Sequence, residues 1–389
     1  MGNYLKIILI ILVLLRLEGC RVPYEPSAIK GITGYLVVDG MIVNGKGQTV
    51  IILTRSTGWN DSINIVYEQK AQTQVEGTDN SVFPLKENAN GQYTADSLNL
   101  NPALTYRLKI KTSDGNIFTS DYVPVLKTPP IDSITWSQDT DKVDRTLTDL
   151  TIYVNTHDPL NNTRYYRWNY EETWKYHSDL VSKVHVNDFQ ILTNSQADQG
   201  KLYYCWQTDN SNSIIIDNSV KLSQDIISMK QLTSIQGNSL KKSFIYSILV
   251  KQYALTQKAY EFYGIMKMNS EQTGSLFDPQ PSEINGNIKN ITNPSEPVIG
   301  YVSISTLSAN RVYISRNFFY HYPASCTIQL LYSLNFTDIQ YPIINYPVDY
   351  LRDHLTQKIT GYIIAPSACV NCEWMGGKSL QPVFWPDSL

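Results

Sequence analysis

Charge is scarce in this chain of 389 residues: Asp, Glu, Lys and Arg make up only 17% of it, with 32 basic residues against 35 acidic and a formal net charge of −3. A nucleic-acid binder needs a basic stripe to neutralise phosphates, and this balance supplies none. Disorder is excluded too, because 42% hydrophobic residues are enough to build cores. The apolar run at 7–15 is nine residues long, well short of the ~20 that a membrane-spanning helix requires. Histidine is rare, and the five present (His157, His177, His185, His321, His354) form no H-E-x-x-H or H-x-H pattern. No G-x-S-x-G elbow, Walker loop or Gly-rich turn opening a helix is found. The sequence therefore offers no catalytic constellation and implies no cofactor or metal. Its length exceeds one ordinary domain of about 100 to 200 residues.

What is abundant is tyrosine, with 27 Tyr beside 10 Phe and 7 Trp. Tyrosine joins an apolar ring to a polar tip, which suits sheet faces and wet surfaces and leans towards an extracytoplasmic β protein. The first residues agree with that address. Lys6 precedes the apolar run, and Leu17-Glu18-Gly19-Cys20 follows it, so 1–19 is expected to be a signal peptide. Leu at −3 and a small Gly at −1 resemble a bacterial lipobox, in which Cys20 is acylated and becomes the first mature residue. Each buried methylene contributes about 0.8 kcal/mol, and more than one acyl chain gives stable anchoring. Residues 20–33 then form a lipidated tether. Arg21-Val22-Pro23-Tyr24-Glu25-Pro26 carries neither a strong acidic surface-export signal nor an inner-membrane retention signal.

Once Cys20 is set aside, four cysteines remain: Cys205, Cys326, Cys369 and Cys372. Export favours disulfides, and four cysteines allow three connectivities among which sequence does not choose. Cys369-Val370-Asn371-Cys372 has redox spacing, but it lies between Pro366 and a Gly376-Gly377 turn rather than at a strand feeding a helix. A lone C-x-x-C is also a weak zinc signal.

The expected fold is mainly β. Short β-branched runs at 34–43, 49–56, 71–75, 91–98, 105–112 and 117–122, punctuated by Asn44-Gly45, Asn90-Gly91 and Asp114-Gly115, predict an Ig-like β-sandwich over 34–128. Thr128-Pro129-Pro130 closes it. A larger β-rich domain over 129–389 follows, with strands at 131–137, 150–156, 213–217, 244–252, 298–305 and 311–315. Thr256 caps one amphipathic helix near 257–272, where Leu255 and Tyr260 form a hydrophobic staple and Ala259, Tyr263 and Met266 share a face. The Pro-, Asn- and Gly-rich stretch at 276–297 predicts a long ordered loop. The last seventy-odd residues show little periodicity and predict an irregular C-terminus stapled by disulfides.

The most aromatic stretch is 164–176, RYYRWNYEETWKY. At period two, one face carries Tyr166, Trp168, Tyr170, Glu172, Trp174 and Tyr176, and the other Tyr165, Arg167, Asn169, Glu171, Thr173 and Lys175. The aromatic face predicts a core strand; its functional alternative is a stacking platform for a sugar or peptide, made by Tyr166, Trp168, Tyr170 and Trp174. Glu172 discriminates, because a buried carboxylate must find a cation or shift its pKa upward.

Several segments together resemble a known family. They are the lipobox Cys20 with Tyr24-x-Pro26, Leu-Val-Val-Asp-Gly at 36–40, Tyr-Arg-Trp-Asn-Tyr-Glu-Glu-Thr-Trp at 166–174 and Cys205-Trp206. Gly-Ser-Leu-Phe-Asp-Pro-Gln-Pro at 274–281, Gly-Asn-Ile at 286–288 and Cys-Val-Asn-Cys with Gly-Gly and Pro-Val-Phe-Trp at 382–385 complete the set. The chain resembles the Bacteroidota lipoprotein family called domain of unknown function 4249 over nearly its whole length. The resemblance implies an outer-membrane lipoprotein commonly encoded beside TonB-dependent transporters, implies no reaction and transfers no site residues. Asn371 stands where the resemblance would place Asp.

Three functions follow as expectations. The first is an envelope-anchored accessory lipoprotein, a binding or scaffolding subunit working with an outer-membrane TonB-dependent transporter. The second is a structural or interaction protein of the envelope with no small ligand. The third is a glycan-acting enzyme built on a carboxylate pair drawn from Asp158, Glu171, Glu172, Asp278 and Glu283. Four Asp-Ser-aliphatic tripeptides (starting at Asp61, Asp96, Asp132 and Asp387) match a short O-glycosylation acceptor pattern that ordinary turns also supply.

Overall fold

The computed structural model describes residues 34–58, 65–140, 148–187, 190–271, 286–315, 326–339 and 344–387. The fold is mainly β. Six elements position the site: β1 (Leu36–Asn44), β2 (Gln48–Arg55), β3 (Tyr165–His177), β4 (Ile245–Leu255), α1 (Gln257–Glu271) and β5 (Ile304–Ile314). The five strands belong to one continuous sheet whose order runs β3, β4, β5, β1, β2 and onward into the strands Gln92–Asp96, Val82–Glu87, Gln72–Gly77, Thr105–Lys111 and Ile117–Ser120.

The N-terminal sandwich forms because alternate residues are apolar: Leu36, Ile51, Leu53, Val75, Tyr93, Leu108, Ile110 and Phe118 turn into one core. The same core takes in Ile288, Val298, Val302 and Ile304. The Pro pair at 129–130 thus does not complete the sandwich, as the sequence suggests it should. The chain leaves, builds the second unit, and returns to pair Ile288–Asn290 with Ile117–Ser120 and β5 in parallel with β1. Within the expected loop, 288–290 is therefore an edge strand. Val82–Glu87 is a further strand, not among the expected runs, and pairs with Gln72–Gly77; its Pro84 has no N–H to donate to the ladder.

The second core packs β3 and β4 against a separate three-stranded sheet of Ile131–Thr140, Thr148–Asp158 and Asp225–Ile235. Thr256 caps α1 as expected, its hydroxyl accepting from the Ala259 N–H at 3.2 Å. Ala259, Phe262 and Tyr263 bury the inner side of α1 against Met41, Val43 and Tyr253 of the sheet. No helix among the described residues is long and apolar enough to cross a membrane.

Two disulfides fix the C-terminal part, Cys205–Cys372 and Cys326–Cys369. Cys369 and Cys372 are bonded to distant partners rather than to each other, so the C-x-x-C is a double staple and its redox and zinc alternatives fall. Between the staples lies a small antiparallel sheet of Gln329–Leu331, Ile359–Pro366 and Asn345–Arg352. Its strands lack clear alternation, which is why the segment looked irregular. Lys378 and Trp206 exchange both backbone hydrogen bonds at 2.9 Å, tying the chain's end to the strand Tyr204–Asn210.

Candidate functional site

The aromatic face of β3 is core. Tyr166, Trp168 and Tyr176 are fully buried, and Trp174 is 4% exposed. The polar tips of Tyr166, Trp168 and Tyr176 are satisfied, as burial demands, whereas the Trp174 indole N–H has no hydrogen-bond partner. The Tyr166 hydroxyl donates to buried Asp225, which also accepts from Ser219. Trp168 Nε1–H donates to Gln252 Oε1 at 2.8 Å, and Gln252 in turn donates to the Pro129 carbonyl and Thr156 Oγ1, both at 2.9 Å. The Tyr176 hydroxyl donates to the Cys372 carbonyl at 2.9 Å. Burial, with the Asp225 carboxylate beside it, drives the Tyr166 hydroxyl pKa far up, so it stays a donor. Glu172, 3% exposed, is paired with Lys241 and accepts from the Tyr246 hydroxyl at 2.9 Å. The stacking-platform alternative for Tyr166, Trp168 and Trp174 is thereby corrected: they offer no free ring face. Tyr170 is half-buried and packs against the same core.

The opposite face of β3 opens onto a cleft of about 490 Å³. Period-two geometry places Arg167 and Asn169 there, because Tyr166 and Trp168 take the other side, and Tyr170 also contributes to the lining. Register then adds the rest. Arg167 stands opposite Tyr253 and Asn169 opposite Lys251 on β4, and Tyr253 stands opposite Leu307 on β5. Asp39, Met41 and Val43 of β1 and Gln48, Val50 and Ile52 of β2 continue the same lining, and Asn210 and Ser211 close one side. One face of five adjacent strands is thus the wall of the cleft, and α1 covers the neighbouring part of that face. Gly40 is required at the wall: its φ is +138°, and a Cβ there would stand 2.2 Å from the Val50 carbonyl oxygen.

The electrostatics centre on Arg167. Its guanidinium carbon lies 4.2 Å from the centroid of the Tyr263 ring, a cation–π contact from the sheet to α1. Its Nε and Nη1 are buried and have no hydrogen-bond partner. Burial raises the pKa of Tyr263, with Arg167 pulling the other way, and burial likewise raises that of Tyr253. Both rings are therefore neutral walls. Lys251 adds a second cation and exposed Asp39 a single anion. The lining combines aliphatic side chains with amides, a hydroxyl and a net positive charge, as small-molecule sites do.

The other candidates do not converge. Glu171 is held by Arg311 at 2.6 Å and Glu172 by Lys241, which occupies both as structural ion-pair members. Asp158 caps its own turn, accepting from the N–H groups of Leu160, Asn162 and Thr163. Burial alone would raise its pKa, but these donors outweigh burial and hold it below the usual carboxylate range. Asp278 and Glu283 lie outside the described residues, as do His321 and the lipidation candidate Cys20. His157 pairs with Asp132 at 2.8 Å, His177 stacks on Tyr203, and His185 contacts Asn194 at 2.7 Å. Among the described residues one group has metal-ligand spacing, Asp179 with Cys326 and Cys369, and its two sulfurs form a disulfide. Of the acceptor-pattern serines, Ser97 sits exposed in a left-handed turn, while Ser133 lies half-buried in a strand; Ser62 and Ser388 fall outside the described residues.

The aromatic face stands out by its composition, whereas the residue that the fold brings to the cleft is Arg167, set between Tyr166 and Trp168 on the opposite face of the strand. A comparison with proteins of curated function finds no match. The model of the family described as a domain of unknown function, DUF4249, matches residues 21–311, well over half of the chain, and the protein belongs to that family.

Proposed function

We propose that this protein is a lipid-anchored binding subunit of the outer membrane that holds a small polar ligand in the cleft between β1 and β3 and works with a TonB-dependent transporter. The observation that carries the binding role is the cleft itself. Five strands turn one amphipathic face to it, and two buried nitrogens of the half-buried Arg167 there lack a hydrogen-bond partner, a cost that a ligand or water would meet. The anchor rests on Cys20, followed by the tether at 20–33. The lining offers one carboxylate, Asp39, rather than a converging pair, and Glu171 and Glu172 are held in ion pairs, which supports binding over hydrolysis.

Co-purification tests the partnership. Tagged protein extracted from membranes in mild detergent should bring down a stoichiometric outer-membrane barrel. Isolation of the lipoprotein alone from cross-linked membranes would refute the transporter role. The cleft is tested by filling it: Asn169→Trp should abolish uptake or ligand capture while leaving the barrel complex intact. A second reading, an envelope interaction protein with no small ligand, is favoured by one feature. The edge strand Gln329–Leu331 and its flanks expose Ile328, Leu330, Tyr332 and Leu334, an apolar row suited to a protein partner. Under that reading Asn169→Trp would be silent.

A further inference from the structure

We propose that the ligand of the cleft carries a carboxylate and that Arg167 receives it. This rests on the binding role proposed above and specifies its chemistry. A guanidinium presents five N–H donors in a planar fork that matches the two oxygens of a carboxylate. In Arg167, Nε and Nη1 are both buried and unpartnered, and no carboxylate of the described residues pairs with the group. Tyr263 lies under the guanidinium at 4.2 Å and packs against it while Nε and Nη1 stay without a hydrogen-bond partner. The side chain is thus a held cation with two of its three nitrogens unsatisfied, at the wall of a cleft that a small molecule fits. Burying an ionic group without its counter-charge is costly, and an arriving anion relieves that cost.

Charge matching narrows the class. Lys251 lies across the sheet from Asn169, and Asp39 lies on the exposed side of β1. Two cations against one carboxylate leave the lining one formal positive charge, which suits a monoanion better than a dianionic phosphate. Asn169, Gln48, Asn210 and Ser211 provide donors and acceptors for hydroxyl or amide groups on the rest of the ligand. An acidic sugar and the C-terminus of a short peptide both meet this description, and both would place their carboxylate on Arg167.

Saturation-transfer NMR on the full chain in mild detergent tests the assignment with defined pairs of probes: acetate and acetamide, glucuronate and glucose, alanyl-alanine and its C-terminal amide. Each acid is expected to show saturable transfer and each neutral partner far less, with the stronger of glucuronate and dipeptide identifying the source. Arg167→Gln should weaken binding of the acid roughly ten- to hundredfold, the loss of a charge-assisted hydrogen bond. Arg167→Lys, which keeps the charge and loses the fork, should recover only part of it. Lys251→Ala provides a milder change if Arg167→Gln disturbs the fold, and it should lower affinity for acids while leaving the neutral partners unchanged. Acid-selective binding that survives both Arg167 variants would overturn the assignment. Equal transfer to acids and neutral partners that Asn169→Trp removes would refute the carboxylate but keep the cleft as a binding site. No transfer to any probe would remove both.

Discussion

Trp168→Ala puts the architecture of the site to the strictest test, because Trp168 and Arg167 are neighbours on one strand and point to opposite faces. Trp168 is fully buried, stacks on Tyr166 with ring centroids 5.6 Å apart, and donates to Gln252. Truncating a buried Trp to Ala costs about 3 to 5 kcal/mol through lost transfer energy and the cavity left behind. Here the change also strips Gln252 Oε1 of its donor, adding about 1 to 3 kcal/mol if no water enters. The expected loss is therefore at least about 3 kcal/mol, measured by urea unfolding of the oxidised protein against wild type. Trp168→Phe narrows the comparison, since it keeps a six-membered ring in the core while removing the N–H and part of the indole. A loss below about 1 kcal/mol for Trp168→Ala, typical of exposed positions, would refute the core assignment and with it the orientation of Arg167.

Replacing Cys20 with Ser should release the protein from membranes, and persistence in the membrane fraction after a carbonate wash would rule out the anchor. Intact-mass analysis with alkylation should show no free thiol among Cys205, Cys326, Cys369 and Cys372 until reduction; peptide mapping should pair Cys205 with Cys372 and Cys326 with Cys369, and a Cys369–Cys372 linked peptide would contradict the staples. Glu172→Gln should cost about 3 kcal/mol, the low end for breaking a buried pair, because Lys241 is left beside Trp174 without its carboxylate; an unchanged unfolding midpoint would show the pair to be dispensable. Asp158 has a folded pKa held below its unfolded value, so its contribution is complete above the ordinary Asp range near 4 and fades as pH falls through the lower folded value. Asp158→Asn should flatten that part of the acid-unfolding profile, and an unaltered profile would assign the acid sensitivity elsewhere.

The local chemistry of the sequence was legible where it repeats at short range. Alternation marks the strands of the sandwich, a Thr before an apolar stripe marks α1, and export with an even set of cysteines marks disulfides. What could not be read were relations across long separations. The disulfide partners of 369 and 372 lie 43 and 167 residues away, and spacing in the chain suggested instead that they belong together. The return of 288–304 into the first core is equally invisible, because Val298, Val302 and Ile304 have no local mark that distinguishes one sheet from another.

The cleft shows most clearly how a core can determine a site. Period-two reading of 164–176 gives two faces, one aromatic and one mixed, but alternation alone does not say which meets the interior. The answer depends on β4 lying beside β3, with Gln252 opposite Trp168 and Tyr253 opposite Arg167. Gln252 satisfies the indole, Asp225 satisfies Tyr166, and Lys241 satisfies Glu172. Each match favours the same register. A slip by one residue would turn Trp168 into the cleft and bury Arg167 in the core without a counter-charge, so the register is fixed by both faces at once. The core aromatic residues therefore shape the cleft from behind it: by occupying the core, Tyr166 and Trp168 hold Arg167 on the opposite side, against Tyr263.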